Sequence, residues 1–222
     1  MKSVVISIGG SVVLSQDVNY LKKLSDLINK LSNYYKIFLV VGGGRIAREY
    51  IKLGRELGFD EKTLDNIGID ITRINAKILS RIVKKSNIEI PNSTNKAIKF
   101  QNNIVIMGGT SPGHSTDMVS AELAEKANSE KLIIATNVDG IYDKDPNKFS
   151  DVKKYDEIHI DELISKYGIS WKSAGANMVI DSPALKIIKR SSIKTYVLNG
   201  IKLDQLEKVI FDRDFIGTKI IV

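Results

Sequence analysis

Lys36-Ile37-Phe38-Leu39-Val40-Val41-Gly42-Gly43-Gly44 sets an unbroken apolar run directly against three glycines. A short apolar run bounded by glycine reads as a buried strand that ends in a tight loop. Earlier in the chain, Val4-Val5-Ile6-Ser7-Ile8 does the same and stops at Gly9-Gly10. Between the two, Leu21, Leu24, Leu27, Ile28 and Leu31 recur at spacings of three and four, which predicts an amphipathic helix from about Val18 to Leu31. Strand, helix, strand, with both strands largely apolar, predicts a parallel sheet covered by helices.

The rhythm continues outward. Thr63 to Val83 reads as a long helix, Asn103 to Met107 as a strand, Thr116 to Ala127 as a helix and Lys131 to Ala135 as a strand. Past Pro146 the chain is more charged, with a short helix near Asp161 to Lys166. Helices near Pro183 to Arg190 and Leu203 to Phe211 frame a strand at Lys194 to Leu198, and Lys219 to Val222 makes a last short strand. No internal repeat or low-complexity linker interrupts this order. The expected fold is a single α/β domain, a three-layer αβα sandwich with a largely parallel central sheet. An N-terminal lobe is expected at roughly 1–130 and a C-terminal half at roughly 131–222.

Composition narrows the function classes. With 43% apolar residues in 222, the chain buries a substantial core. The absence of cysteine excludes a disulfide framework and a thiolate nucleophile, and fits a cytoplasmic protein. The first residues lack the pattern of a signal peptide, and no apolar run is long enough to span a bilayer. The net charge of +7 comes from scattered pairs such as Lys22-Lys23, Lys84-Lys85 and Lys153-Lys154, which read as solvated faces rather than a nucleic-acid stripe.

A third glycine cluster, Gly108-Gly109-Thr110-Ser111-Pro112-Gly113-His114-Ser115-Thr116-Asp117, again follows a strand. Ligands of open parallel sheets collect beyond the carboxyl ends of the strands. Glycine there lets backbone N–H groups approach phosphate oxygens. Any one such cluster is more often a plain turn; three on one sheet point to a polyphosphate site. Neither the dinucleotide fingerprint nor the P-loop spacing is present. Arg48 lies one turn into the helix after Gly44, placed to reach back over that helix N-terminus, whereas Arg45 reads as a surface cation. Thr136-Asn137-Val138-Asp139-Gly140-Ile141-Tyr142-Asp143-Lys144-Asp145-Pro146 offers an aromatic face and carboxylates suited to a nucleoside, although Asp-Gly and Asp-Pro are also ordinary turn formers.

Taken together and in this order, these segments resemble the amino-acid-kinase family across nearly the whole chain. Within that family, Pro112-Gly113-His114 and Val179-Ile180-Asp181-Ser182-Pro183-Ala184 are similar to the archaeal UMP kinases. The resemblance implies transfer of the γ-phosphoryl of ATP, with Mg²⁺, to UMP, in a cytoplasmic homohexamer of pyrimidine biosynthesis. It implies that Gly43, Asp65 and the loop Thr110, Ser111, Pro112, Gly113, His114, Ser115 and Thr116 hold UMP. Gly9, Gly10, Gly44, Arg48, Thr136, Asn137, Tyr142 and Asp145 would hold ATP, and Arg48, Asp117 and Gly10 would serve the transfer. No metal ligand is assigned. Asp65 at a helix start and Asp117 before an apolar run are also readable as a dipole partner and an N-cap. One departure stands out: many relatives carry lysine two residues before the first glycine pair, where this chain has Ser7. Two other readings share the pattern: a kinase for another small phosphate, and a nucleotide-binding storage or regulatory protein without turnover.

Overall fold

The computed structural model describes residues 1–13, 17–167 and 180–222. Val179, part of the resembling segment above, lies outside the described residues. The first half runs β1 (Ser3–Ile8), α1 (Gly10–Val13), α2 (Val18–Leu31), β2 (Lys36–Val41), α3 (Gly44–Glu56), α4 (Glu61–Ile82), α5 (Thr94–Ala97), β3 (Ile104–Met107) and α6 (Thr116–Lys126). The second half runs β4 (Lys131–Thr136), β5 (Ile141–Tyr142), β6 (Lys154–Tyr155), β7 (Glu157–His159), α7 (Ile160–Tyr167), α8 (Ser182–Ser191), β8 (Lys194–Asn199), α9 (Leu203–Ile210) and β9 (Gly217–Ile221).

Seven strands form one sheet in the order β3-β2-β1-β4-β8-β9-β7. All neighbours are parallel except β8 and β9. The two halves of the chain meet in that sheet, because β4 lies directly against β1. Strand alternation divides the core between two layers. Val4, Ile6 and Ile8 of β1 pack on one face with Leu24, Ile28, Leu79 and Leu206, from α2, α4 and α9. Val5 packs on the other with Val119, Leu163 and Leu185, from α6, α7 and α8. The result is the expected three-layer sandwich.

Several elements differ from the sequence expectation. Strands β5 and β6 pair as a small separate hairpin, and β7 joins the main sheet. With two or three residues each, they are too short to show a period of two. The long helix starts before Thr63 because Asp60 caps it, accepting from the Thr63 N–H at 2.7 Å. His159 is exposed, as its charged setting implies.

Two polar side chains hold structural positions. Lys131 is fully buried yet donates to the carbonyls of Val209 (3.1 Å) and Ile210 (2.9 Å) and pairs with Asp212 (2.8 Å). Its ammonium thereby adds a donor to the last carbonyls of α9. Asn87 lies against the edge strand β3, donating to the Ile106 carbonyl (2.8 Å) and accepting from the Ile106 N–H (2.6 Å). Its amide takes the place of a further strand.

Candidate active site

From β1 the chain winds to β2 and β3 on one side, then returns as β4 on the other. This reversal opens a crevice beyond the carboxyl ends of β1 and β4, the usual ligand position in such sheets. A cleft of about 780 Å³ lies there. Gly9, Gly10, Gly42, Gly43, Gly44, Gly109 and Gly113 all line it, so the three glycine loops converge on one site.

The first two loops touch through their backbones. A Cβ on Gly10 would stand 2.3 Å from both the Gly42 carbonyl oxygen and the Gly44 nitrogen. Gly44 itself has φ +67, the left-handed region that glycine adopts without strain. Helix α3 then starts without a side-chain cap and without an acidic residue in its first turn. Its first N–H groups and the positive end of its dipole are left for an anion. Arg48 lines the cleft beside them and is exposed, with no ion pair among the described residues. Arg45 also is exposed and pairs with Glu49 at 3.6 Å, on the helix surface. Lys144, another cation of the lining, is bound to Asp151 at 2.7 Å.

Ser7 points from β1 towards α6 and is 3% exposed. Its hydroxyl donates to Asp117 Oδ1 at 2.8 Å. The position that holds lysine in many resembling sequences therefore anchors a carboxylate by a neutral hydrogen bond. Ser115, not Asp117, caps α6, accepting from the Met118 N–H at 3.0 Å. That corrects the N-cap reading of Asp117. The Ser115 hydroxyl also donates to Asp181, which in turn caps α8 by accepting from the Ala184 N–H at 2.8 Å. Part of the Asp117 residue surface is open, but its carboxyl group is packed among protein atoms. Desolvation and the nearby Asp181 charge push its pKa up to about 7, against the opposing effect of the Ser7 hydrogen bond.

Asp65, expected to meet the acceptor, lies one turn inside α4 rather than at its start, and Asp60 and Glu61 supply the dipole partners there. Asp65 Oδ2 accepts from the Gly113 N–H at 2.7 Å, tying α4 to the third loop. Asp65, Ser111, Gly113, His114, Ser115 and Thr116 line the cleft, whereas Thr110 and Pro112 do not. The buried Nδ1 of His114 has no hydrogen-bond partner among the described residues. On the donor side, Thr136, Asn137, Tyr142 and Asp145 all line the cleft. Asp145 also accepts from the Asn147 N–H at 2.9 Å, shaping its own turn.

Sequence reasoning had assigned no role to the side chains that brace the loops. Asn75 of α4 donates to the carbonyls of Gly42 (2.9 Å) and Gly43 (3.3 Å), and Thr72 accepts from the Gly109 N–H (2.6 Å). Polar residues within a helix carry no local signal of a partner so distant in sequence. Asp181-Ser182-Pro183 does carry one, since an acidic cap followed by proline marks a helix start.

Residues 2–199 match the model of the amino acid kinase family. The chain belongs to the amino acid kinase family. Among curated members, it is 43% identical over 222 residues to the uridylate kinase of Methanobrevibacter smithii, covering 98% of each chain. It is 43% identical over 204 residues to that of Methanocaldococcus jannaschii, covering 89% of this chain and 90% of the other. Among solved amino acid kinase structures, the uridylate kinase of Archaeoglobus fulgidus superposes with a TM-score of 0.88 at 40% identity, covering 99% of this chain and 100% of the other. The UMP kinase of Bacillus anthracis shares the fold at 22% identity, with a TM-score of 0.82 and coverage of 99% and 96%.

Proposed function

We propose that this chain is a UMP kinase, transferring the γ-phosphoryl of Mg·ATP directly to UMP. The observation that carries the reading is the polar acceptor end of the cleft, where Asp65, Ser111, His114 with its unpartnered Nδ1, Ser115 and Thr116 gather beside an uncapped helix N-terminus. A uracil edge needs donors and acceptors of this kind; an isoprenoid phosphate needs an apolar trench. The uridylate kinase relatives support the same choice. Gly43, Asp65 and the Thr110-to-Thr116 loop make the acceptor side. Gly9, Gly10, Gly44, Thr136, Asn137, Tyr142 and Asp145 make the donor side.

In this reading, an α-phosphate oxygen of UMP attacks the γ-phosphorus in line, and the bond to the bridging oxygen of ADP breaks. The phosphate monoester is ionised near neutral pH, so the protein need not remove a proton. Positioning and charge neutralisation remain. The N–H groups at the start of α3, Gly10, Gly44 and Arg48 hold the phosphates. Among the described residues no group of three His, Cys, Asp or Glu side chains forms a metal cage. Asp117 and Asp181 fit Mg²⁺ that arrives with ATP, because that ion commonly takes one or two carboxylates beside substrate phosphates. Bound there, it would neutralise charge on the transferring group.

A coupled assay with ATP and a panel of UMP, CMP, dUMP and a phosphorylated alcohol tests the activity. ADP release with UMP is expected; nucleotide binding without ADP release overturns it. Arg48→Ala should lower kcat by about 100-fold or more, in the range of losing one transition-state donor, with KM values shifted only a few-fold. Unchanged turnover removes Arg48 from the transfer.

Copies of the chain would assemble through α3. Ile46, Tyr50, Leu53 and Leu57 follow one another at spacings of four, three and four and are 41% to 64% exposed. Such a contiguous stripe marks an association surface rather than scattered exposure. It supports a homo-oligomer, for which the resemblance implies a hexamer built from dimers. Leu53→Glu should reduce the assembly measured by sedimentation; an unaltered species distribution excludes this face. A cytoplasmic role in pyrimidine synthesis belongs to the same proposal. No helix among the described residues is long and apolar enough to cross a membrane.

A further inference from the structure

Arg73 lies on α4 next to Thr72, and its side chain is 33% exposed. Its Nε donates to the Gly109 carbonyl at 3.2 Å and its Nη2 to the Thr110 carbonyl at 3.0 Å. Asp70, 4.0 Å from Nη1, makes a loose pair with the same guanidinium. Thr72 fixes the other side of Gly109 by accepting its N–H at 2.6 Å, and Asp65 takes the Gly113 N–H at 2.7 Å. The third loop is thus fastened to α4 at both ends, with two successive carbonyls turned towards one cation.

The peptide bonds of the described residues are trans, and in a trans peptide the N–H points opposite to the C=O. The carbonyl of Gly109 shares its peptide with the N–H of Thr110, and that of Thr110 with the N–H of Ser111. Pulling both carbonyls to Arg73 therefore turns the two N–H groups away from it. Neither N–H donates to a protein acceptor among the described residues. Ser111 lines the cleft, whereas Thr110 does not, so the Ser111 N–H is the one of the two on the cleft wall.

We infer that Arg73 is a positioning residue that sets the choice of acceptor base, by holding the Ser111 N–H group ready for the C4 carbonyl oxygen of a pyrimidine. This inference rests on the UMP kinase reading. A fixed donor suits uracil, which presents an oxygen at C4. Cytosine presents an amino group at C4, and two donors then face each other. Backbone donors cannot switch to acceptors, as a rotating hydroxyl can, so the discrimination depends on the orientation that the guanidinium maintains. A lysine supplies a single ammonium and cannot reproduce the fork.

The test is steady-state kinetics with UMP and CMP on the full-length protein, Arg73→Ala and Arg73→Lys, with KM for ATP measured alongside. Arg73→Ala should raise KM for UMP about tenfold, the usual effect of losing a hydrogen bond to a charged group. The ratio of kcat/KM for UMP over CMP should fall by a similar factor, and KM for ATP should stay within about twofold, because no donor-side residue touches Arg73. Arg73→Lys should lie between the two. Equal losses for UMP and CMP, or a parallel rise in KM for ATP, overturn the inference. Amide hydrogen exchange gives a readout independent of turnover. Exchange in the segment 109–113 should quicken in Arg73→Ala while α2 and α9 stay unchanged, and an unaltered exchange pattern overturns the clamp itself. If the wild-type protein phosphorylates no UMP, the UMP kinase reading fails and the base-selection claim with it, whereas a quickened segment 109–113 would still establish the clamp.

Discussion

Gly10→Ala should lower phosphoryl transfer at least about 100-fold. The added methyl would meet the Gly42 carbonyl oxygen and the Gly44 nitrogen at 2.3 Å and the Gly43 carbonyl carbon at 2.6 Å, all of them backbone atoms. No side chain can rotate aside to make room. Gly44 cannot retreat by a simple torsion either, since it already holds φ +67 and its own Cβ direction points at the Gly10 carbonyl carbon, 2.6 Å away. The two loops must part by about an ångström, and a displacement of that size costs on the order of 100-fold when reacting groups are held by position alone. In the proposed mechanism one loop carries donor phosphates and the other begins the anion-binding helix, so both substrates lose alignment together. Turnover at saturating ATP and UMP should fall by at least about two orders of magnitude. Circular dichroism should keep its native shape, because Gly10 lies beyond the end of β1 and the core strands are untouched. Wild-type turnover in this variant would show that the two loops do not cooperate in the reaction.

Asp117→Asn should separate stability from activity. The native carboxyl titrates at about 7, against an ordinary value of 3.8, because burial and Asp181 disfavour its charge. Between those two values the folded protein retains a proton that the unfolded chain has released, so stability from this group falls as pH rises through the window. Above about pH 7 the wild-type protein carries the full cost of the buried charge. Asparagine removes that cost and can still accept from the Ser7 hydroxyl. The variant should therefore be more stable than wild type at pH 8, by roughly 1–3 kcal/mol for a partly open cleft, and no more stable at pH 4. Its kcat should fall by about 100-fold or more, since in the proposed mechanism the carboxylate pair that would take Mg²⁺ beside the transferred phosphoryl loses half its charge. Urea denaturation at both pH values, without nucleotide or metal, checks the first part. An equal effect at pH 4 and pH 8 would mean that the Asp117 charge is not what destabilises the native state.

The alternation of apolar runs with three-four stripes was enough to read the long strands and helices, because each buries a periodic face that the sequence must encode locally. The glycine clusters were legible for the same reason: close approach of two backbones demands the absence of a Cβ, as at Gly10 and Gly44. What escaped was short or non-local. The β5–β6 hairpin gains its place by pairing, not by pattern. Thr72, Arg73 and Asn75 belong to a long helix in which only Asp65 was read for a role, yet they hold loops more than thirty residues away in either direction. Asp117 was legible as a carboxylate of interest, but Ser115 took the cap because its short side chain reaches the Met118 N–H from an extended backbone. The gap at Ser7 acquired a physical meaning only in three dimensions: it holds Asp117.

The side-chain amide of Asn87 bears on how copies of this protein can meet. By occupying both hydrogen-bonding groups of Ile106, it leaves this stretch of β3 nothing to offer a neighbouring chain. Growth by strand addition, which has no natural end point, is blocked at that border. The α3 face proposed for assembly is a helix surface instead, where rotation about an axis can return to its starting point and close a finite set of subunits.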